Sequence, residues 1–239
     1  MAESENLSVA EVQAELSRIE AEVDSGNRDL RALGFWRLLA QVKRRPELVE
    51  AAADAAGRID AEAFDAGVRL KFPVWFGNLI LLIGVSVGAF LVVIARYAPT
   101  PFVAGVALVL AAVVWSVCVH CPAHWLVGRV FGIRFRCYFL GGPFPPRPGL
   151  KTDYSTYLRA KAEMRAVMHA AGALATKAAP FVALAFYPGS SAPAWAAWVV
   201  LVIGIVQIIT DIFLSTRSSD WKKVKREMAV ARLAVTPGS

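Results

Sequence analysis

The sequence has 239 residues, a hydrophobic content of 56% and a mean hydropathy of +0.49, which together exclude an ordinary soluble domain and predict a membrane protein. The net charge is +7, yet residues 1–72 carry 10 basic and 14 acidic residues, so the positive excess lies in the later part of the chain. We interpret that excess as a topology determinant attracted to anionic lipid headgroups. We therefore expect no nucleic-acid partner.

Residues 1–70 are predicted to form an N-terminal cytosolic helical region. Two apolar stripes at helical spacing are separated by the turn residues Ser25-Gly26-Asn27. The stripes consist of Val9, Val12, Leu16, Ile19 and Val23, and of Leu30, Leu33, Trp36, Leu39 and Val42. A third helical stretch, Glu47 to Leu70, leads into the first apolar segment. We expect a small helical hairpin that packs on itself or on a helical partner.

Residues 71–216 are predicted to form a four-span membrane domain. A bilayer core of ~30 Å requires about 20 helical residues, and four apolar segments approach or exceed that length. They are Phe72–Ala95, Phe102–Val119, Ala166–Tyr187 and Ala192–Leu214. Basic residues are concentrated between the second and third segments and in the tail, residues 217–239. By the positive-inside rule, both termini of this multi-pass cell-membrane protein face the cytosol.

The segment between the second and third spans has a different pattern. Apolar and polar residues alternate from Gly132 to Leu140, which predicts an interfacial strand or hairpin. The tract Gly141–Gly149 is rich in glycine and proline and predicts a loop, with a ligand for another domain as the alternative. The predicted fold class is an all-α polytopic membrane protein with about four transmembrane helices, this strand element and the N-terminal helical unit.

Two of the three histidines of the chain lie four residues apart at the end of the second span. His120 and His124 share one face of a helix, so both imidazoles can bind a single metal ion. The alternative is a pair of polar residues at a membrane boundary, hydrogen-bonded to backbone or headgroups. The side chain of Cys121 can face the same cavity, and Pro122 is predicted to kink the helix.

Three further ionisable residues interrupt the last two spans. His169 and Asp211 are predicted at the same depth as His124, near the cytosolic boundary, and this shared depth favours a metal site. Lys177 lies deeper in the third span, where an ionisable group indicates function; snorkelling to the surface is the alternative reading.

From about Trp115 to Ser215, the order of these motifs resembles the site-two protease family of intramembrane zinc metalloproteases. The segment His120–Ile133 resembles the HExxH helix of that family, and the alternating strand with its Gly-Gly-Pro turn is similar to its membrane-inserted sheet. Ala171–Thr176 resembles its Gly-Pro-Leu-Ala-Asn segment. The resemblance implies that His120, His124 and Asp211 bind Zn²⁺, and that a transmembrane protein segment is the substrate or client.

The sequence departs from the family pattern at two positions. Cys121 occupies the position of the glutamate general base, and Ile212 replaces a glycine that follows the aspartate. A thiolate bound to zinc would fill the open position that catalysis requires. The implied function is a membrane-embedded, zinc-binding, metalloprotease-like protein with Cys121 as its candidate catalytic residue.

Two alternatives remain open. One is an active intramembrane protease in which the Cys121 thiolate or Glu163 replaces the missing base. The other is a small metal- or solute-handling membrane protein whose His169, Lys177 and Asp211 line a path. The second alternative would require an oligomer, because the four spans show no inverted repeat.

Overall fold

The computed structural model describes residues 7–141, 147–213 and 219–235. The chain forms two compact units, each assembled from separate parts of the sequence. The mixed unit consists of Met1–Pro73, Arg129–Arg165 and Glu227–Ser239, and the four-span unit consists of Val74–Gly128 and Ala166–Arg226. Helices predominate in the described residues, and the predicted all-α polytopic fold class is confirmed.

The helices are α1 (Val9–Asp24), α2 (Phe35–Val42), α3 (Pro46–Gly67), α4 (Val74–Tyr97), α5 (Pro101–Cys118), α6 (His120–Val130), α7 (Tyr154–Arg159), α8 (Ala162–Ala185), α9 (Ala194–Phe213) and α10 (Asp220–Val235). The strands are β1 (Leu70–Pro73), β2 (Phe135–Gly141) and β3 (Arg147–Thr152).

The helical hairpin predicted for the N-terminal region is present in the mixed unit. Ser8 and Glu11 form a capping box at the start of α1, and Gly26 adopts a φ of 101° at the predicted break. The buried residues of α1, α2 and α3 form one apolar core with Leu158 of α7. The hairpin therefore packs on itself and on α7.

The second apolar stripe differs from its prediction. Helix α2 begins only at Phe35, so Leu30 and Leu33 precede it. Leu30, Leu39 and Val42 of the predicted stripe are buried. Phe35 is 0% exposed, whereas Trp36 is 43% exposed and packs edge-on against Tyr154. The prediction that Trp36 lies on the buried stripe was wrong, since Phe35, four residues before Leu39, occupies the buried position of this turn.

The predicted interfacial strand is β2, the central strand of an antiparallel sheet with the order β1-β2-β3. The sheet is larger than expected at both edges. Leu70 and Phe72, assigned to a helix and to the first span, belong to β1, where Leu70 pairs with Leu140. Pro148, assigned to a loop, lies in β3 opposite Leu140; β3 is an edge strand, and edge strands tolerate proline. Residues 142–146 of the predicted loop lie outside the described residues.

A buried carboxylate, Glu227, joins the C-terminal part of α10 to other residues of the mixed unit by hydrogen bonds. Glu227 accepts hydrogen bonds from Lys43 (2.5 Å), Arg165 (2.6 Å) and the hydroxyl of Tyr157 (3.0 Å). Burial raises the pKa of Glu227, but the charges of Lys43 and Arg165 lower it by a larger amount. The pKa of Glu227 therefore lies below its ordinary value. The carboxylate is therefore ionised and compensated.

Four helical segments are long and apolar enough to cross a membrane: Val74–Tyr97, Pro101–Val130, Ala162–Gly189 and Ala194–Phe213. They agree with the four predicted spans. Gly84 and Gly88 of α4 allow α5 to approach closely, because an added Cβ would overlap the side chains of Cys118 and Trp115. The GxxxG spacing thus serves packing within this unit.

The second span is interrupted one residue before the histidine pair. Helix α5 ends at Cys118, Val119 lies between the helices, and α6 begins at His120. Pro122 is therefore in the first turn of α6, where an N–H has no partner within the helix and its absence costs little. The predicted irregularity is thus a one-residue interruption of the helix at Val119.

Candidate metal centre

Three side chains of the four-span unit converge on one point. The Nε2 atoms of His120 and His124 are 3.3 Å apart, and each lies 3.3 Å from Oδ2 of Asp220. The two histidines are one turn apart on α6, and Asp220 is the first residue of α10. The three atoms form an equilateral triangle of potential metal ligands.

The hydrogen bond of Nδ1 determines the tautomer of His124. Nδ1 of His124 lies 2.7 Å from the carbonyl oxygen of Met168 on α8. A carbonyl only accepts hydrogen bonds, so Nδ1 carries the proton and donates it. In the neutral ring, Nε2 then presents a lone pair towards Asp220.

His120 is oriented in the same way. Its Nδ1 lies 3.1 Å from the carbonyl oxygen of Gly172 and 2.9 Å from Oγ1 of Thr176. The Thr176 hydroxyl donates to the Gly172 carbonyl at 3.0 Å, so its oxygen is the acceptor for His120. The Nε2 atom of His120 therefore also presents a lone pair.

A stripe on α8 makes these contacts possible. Met168, Gly172 and Thr176 are spaced by four residues and face α6. Gly172 is needed there because a Cβ atom would overlap the imidazole of His124. Helix α8 thus accepts hydrogen bonds from Nδ1 of both rings, and the Nε2 atoms face Asp220.

The arrangement fits a metal ion. With both rings neutral, three electron-pair donors face one another at 3.3 Å with no hydrogen between them, which is repulsive unless a cation lies among them. Two ligand atoms that bind Zn²⁺ tetrahedrally, at about 2.0–2.1 Å, are about 3.3–3.4 Å apart. Hydrogen bonding of the second ring nitrogen to a carbonyl is also the usual support of a metal-binding histidine.

The charge and burial of the three residues are consistent with cation binding. Burial raises the pKa of Asp220, but the three imidazoles around its carboxylate and the charge of Lys223 lower it more, so its pKa lies well below the ordinary range. The side chains of His124 and Asp220 are 11% and 15% exposed, whereas that of His120 is 36% exposed. The site is therefore reachable from the His120 side.

Asp211, the acidic ligand named from the sequence, has a different partner. Its carboxylate lies 2.6 Å from Nζ of Lys177, and both side chains are mostly buried. It is not a member of the potential metal-binding group found among the described residues, and Asp220 is. The structure thus brings His120 and His124 together with Asp220, and pairs Asp211 with Lys177.

His169 and Cys121 also belong to this part of the four-span unit. Nδ1 of His169 lies 3.7 Å from the second oxygen of Asp220, so every histidine of the chain contacts this carboxylate. Cys121 is the second residue of α6 and half-buried; among the described residues, its thiol is not part of the three-residue group.

The role of Asp220 was missed because depth was judged from the spans alone. Asp220 follows the fourth span and lies in the basic tail, residues 217–239, outside the predicted membrane domain. One signal was available: from the start of the third span onwards the sequence contains three acidic residues, Asp211, Asp220 and Glu227. Lys177, inside the third span, is the expected ion-pair partner for one of them.

No protein-family model matches this chain, and no curated protein or solved structure shows significant similarity to it. The likeness to site-two proteases therefore remains a prediction carried by the motifs themselves.

Proposed function

We propose that this chain is a zinc-binding membrane protein with a metal centre of the site-two-protease kind, which binds a transmembrane segment of another protein without glutamate-dependent hydrolysis. The observation that carries the proposal is the triangle of His120, His124 and Asp220 donors at 3.3 Å. It lies in a unit whose four helices are long and apolar enough to cross a membrane.

The donor set supports zinc and an accessible site. Two imidazole nitrogens and one carboxylate oxygen suit Zn²⁺ in tetrahedral geometry. Structural zinc sites have four protein ligands, whereas sites that act on other molecules have three and an open position. A metal ion bound here would act as a Lewis acid towards a carbonyl oxygen of the bound segment.

The residues around the triangle favour binding over hydrolysis. Hydrolysis by such a site requires a general base, and Cys121 occupies the position at which the family has its glutamate. The two carboxylates of the four-span unit are engaged, Asp220 with the imidazoles and Asp211 with Lys177. Glu163, the other base considered, is exposed in the first turn of α8.

The proposed setting follows from the charge pattern. The basic residues between the second and third spans and in the tail support a multi-pass cell-membrane protein with both termini in the cytosol. The same residues would contact anionic lipid headgroups.

Metal analysis of the purified full-length protein tests the zinc assignment. We expect about one zinc per chain, and its loss in His120→Ala and His124→Ala, because three-ligand binding does not survive removal of an imidazole. Lys225→Ala, an exposed change on α10, is the control and should retain zinc. Equal zinc in all four proteins would contradict the proposed ligands.

A reporter transmembrane segment tests the assignment of binding without hydrolysis. Wild-type protein should retain the segment uncleaved, and Cys121→Glu should gain measurable cleavage because it restores the base. Cleavage by the wild type that disappears in Cys121→Ala would instead establish an active protease that uses the thiol.

A further inference from the structure

The two oxygens of Asp220 have different surroundings. Oδ2 faces the Nε2 atoms of His120 and His124 at 3.3 Å. Oδ1 lies 3.0 Å from Nζ of Lys223 and 3.7 Å from Nδ1 of His169. One oxygen thus belongs to the proposed metal site, and the other is held by residues outside it.

Lys223 and His169 approach this outer oxygen from two different elements. Lys223 lies three residues after Asp220 on α10, and His169 lies on α8. His169 is next to Met168, whose carbonyl orients His124. Contacts from two helices fix the rotation of the carboxylate more firmly than a contact from one helix can.

The rotation of the carboxylate decides how many ligand atoms it offers. A carboxylate binds a metal through one oxygen or through both. Through Oδ2 alone, Asp220 completes a set of three protein donor atoms and leaves one tetrahedral position open. Through both oxygens, it would supply a fourth donor atom and fill that position.

We propose that Lys223 and His169 are positioning residues that hold Oδ1 of Asp220 away from the metal and thereby keep one coordination position open for an outside ligand. The inference rests on the proposed function, because it assumes that the three-residue group binds a metal. The ammonium of Lys223 also neutralises the charge on Oδ1, which reduces the attraction of that oxygen to a cation.

Cobalt(II) substitution of the full-length protein tests this inference by spectroscopy. Azide that binds to cobalt changes its visible spectrum, so an azide titration reports whether a coordination position is open. We expect wild-type protein to bind azide. Lys223→Ala and His169→Ala should retain cobalt and bind azide about tenfold or more weakly, because the second oxygen of Asp220 then fills the open position.

Two variants separate positioning from general damage. His169→Asn keeps an N–H donor that can face Oδ1 and should behave like the wild type. Lys225→Ala removes the same charge from an exposed position of α10 and should have no effect. Cobalt content is measured in every sample.

The outcomes distinguish this inference from the proposed function. A wild-type protein that takes up no cobalt would contradict the proposed function itself. Cobalt uptake with unchanged azide binding in Lys223→Ala and His169→Ala would overturn only the inference. Complete loss of cobalt from both variants would also overturn it, because positioning requires that the three ligands remain in place.

Discussion

Two aspartates of the four-span unit, Asp220 and Asp211, have opposite surroundings. Asp211 pairs with Lys177 at 2.6 Å, whereas Asp220 faces two imidazole nitrogens at 3.3 Å. An ammonium carries a full positive charge and no lone pair, so it satisfies Asp211 and leaves nothing for a metal to bind. Imidazoles supply lone pairs and no fixed charge. The comparison shows that the partner, more than the carboxylate, determines which aspartate can serve a metal site.

Exchanging each aspartate for asparagine gives the largest expected contrast. Asp220→Asn should reduce zinc from about one per chain to background, because a neutral amide is a poor zinc ligand. Asp211→Asn should retain zinc, since its carboxylate is engaged by Lys177. Metal analysis of both purified proteins measures the difference. Retention in Asp220→Asn with loss in Asp211→Asn would restore the ligand set named from the sequence.

The ion pair itself should matter for stability and not for metal binding. Lys177→Met leaves Asp211 as an uncompensated charge within apolar helices, and we expect a loss of about 3 kcal/mol in unfolding free energy. Zinc content of the folded protein should not change. Denaturant unfolding in detergent measures the loss.

A double variant tests whether the unpaired charge causes this loss of stability. In Lys177→Met/Asp211→Leu no charge is left unpaired, so most of the stability should return. If the double variant is no more stable than Lys177→Met, the pair is not the reason for the loss.

The sequence predicted the helices and the histidine pair because both depend on local spacing. Apolar length places the four spans, and a separation of four residues places His120 and His124 on one face. The sequence could not predict Asp220 or β1 in the same way. Asp220 reaches the histidines from a separate helix, and Leu70 joins β2 across 70 residues of chain, so each position depends on tertiary packing.

Gly172 tests how closely α8 must approach the metal site. Gly172→Ala places a methyl group where the imidazole of His124 lies, although alanine favours a helix more than glycine does. We expect zinc affinity to fall about 100-fold, or about 2.7 kcal/mol, while the helix content stays the same. Zinc competition assays and circular dichroism measure the two quantities. Gly67→Ala, where an added Cβ meets no neighbour, is the control.

Substitution of Thr176 is expected to have the smallest effect on zinc binding. Thr176→Val keeps the shape of the side chain and removes the oxygen that lies 2.9 Å from Nδ1 of His120. The Gly172 carbonyl, 3.1 Å from the same nitrogen, still accepts its proton, so the correct tautomer is retained and zinc affinity should fall about tenfold or less. Thr176→Ser keeps the hydroxyl and should match the wild type. A loss in Thr176→Val as large as that in Asp220→Asn would mean that the tautomer of His120 depends on Thr176 alone; no loss would mean that the backbone of α8 is sufficient to orient the ring.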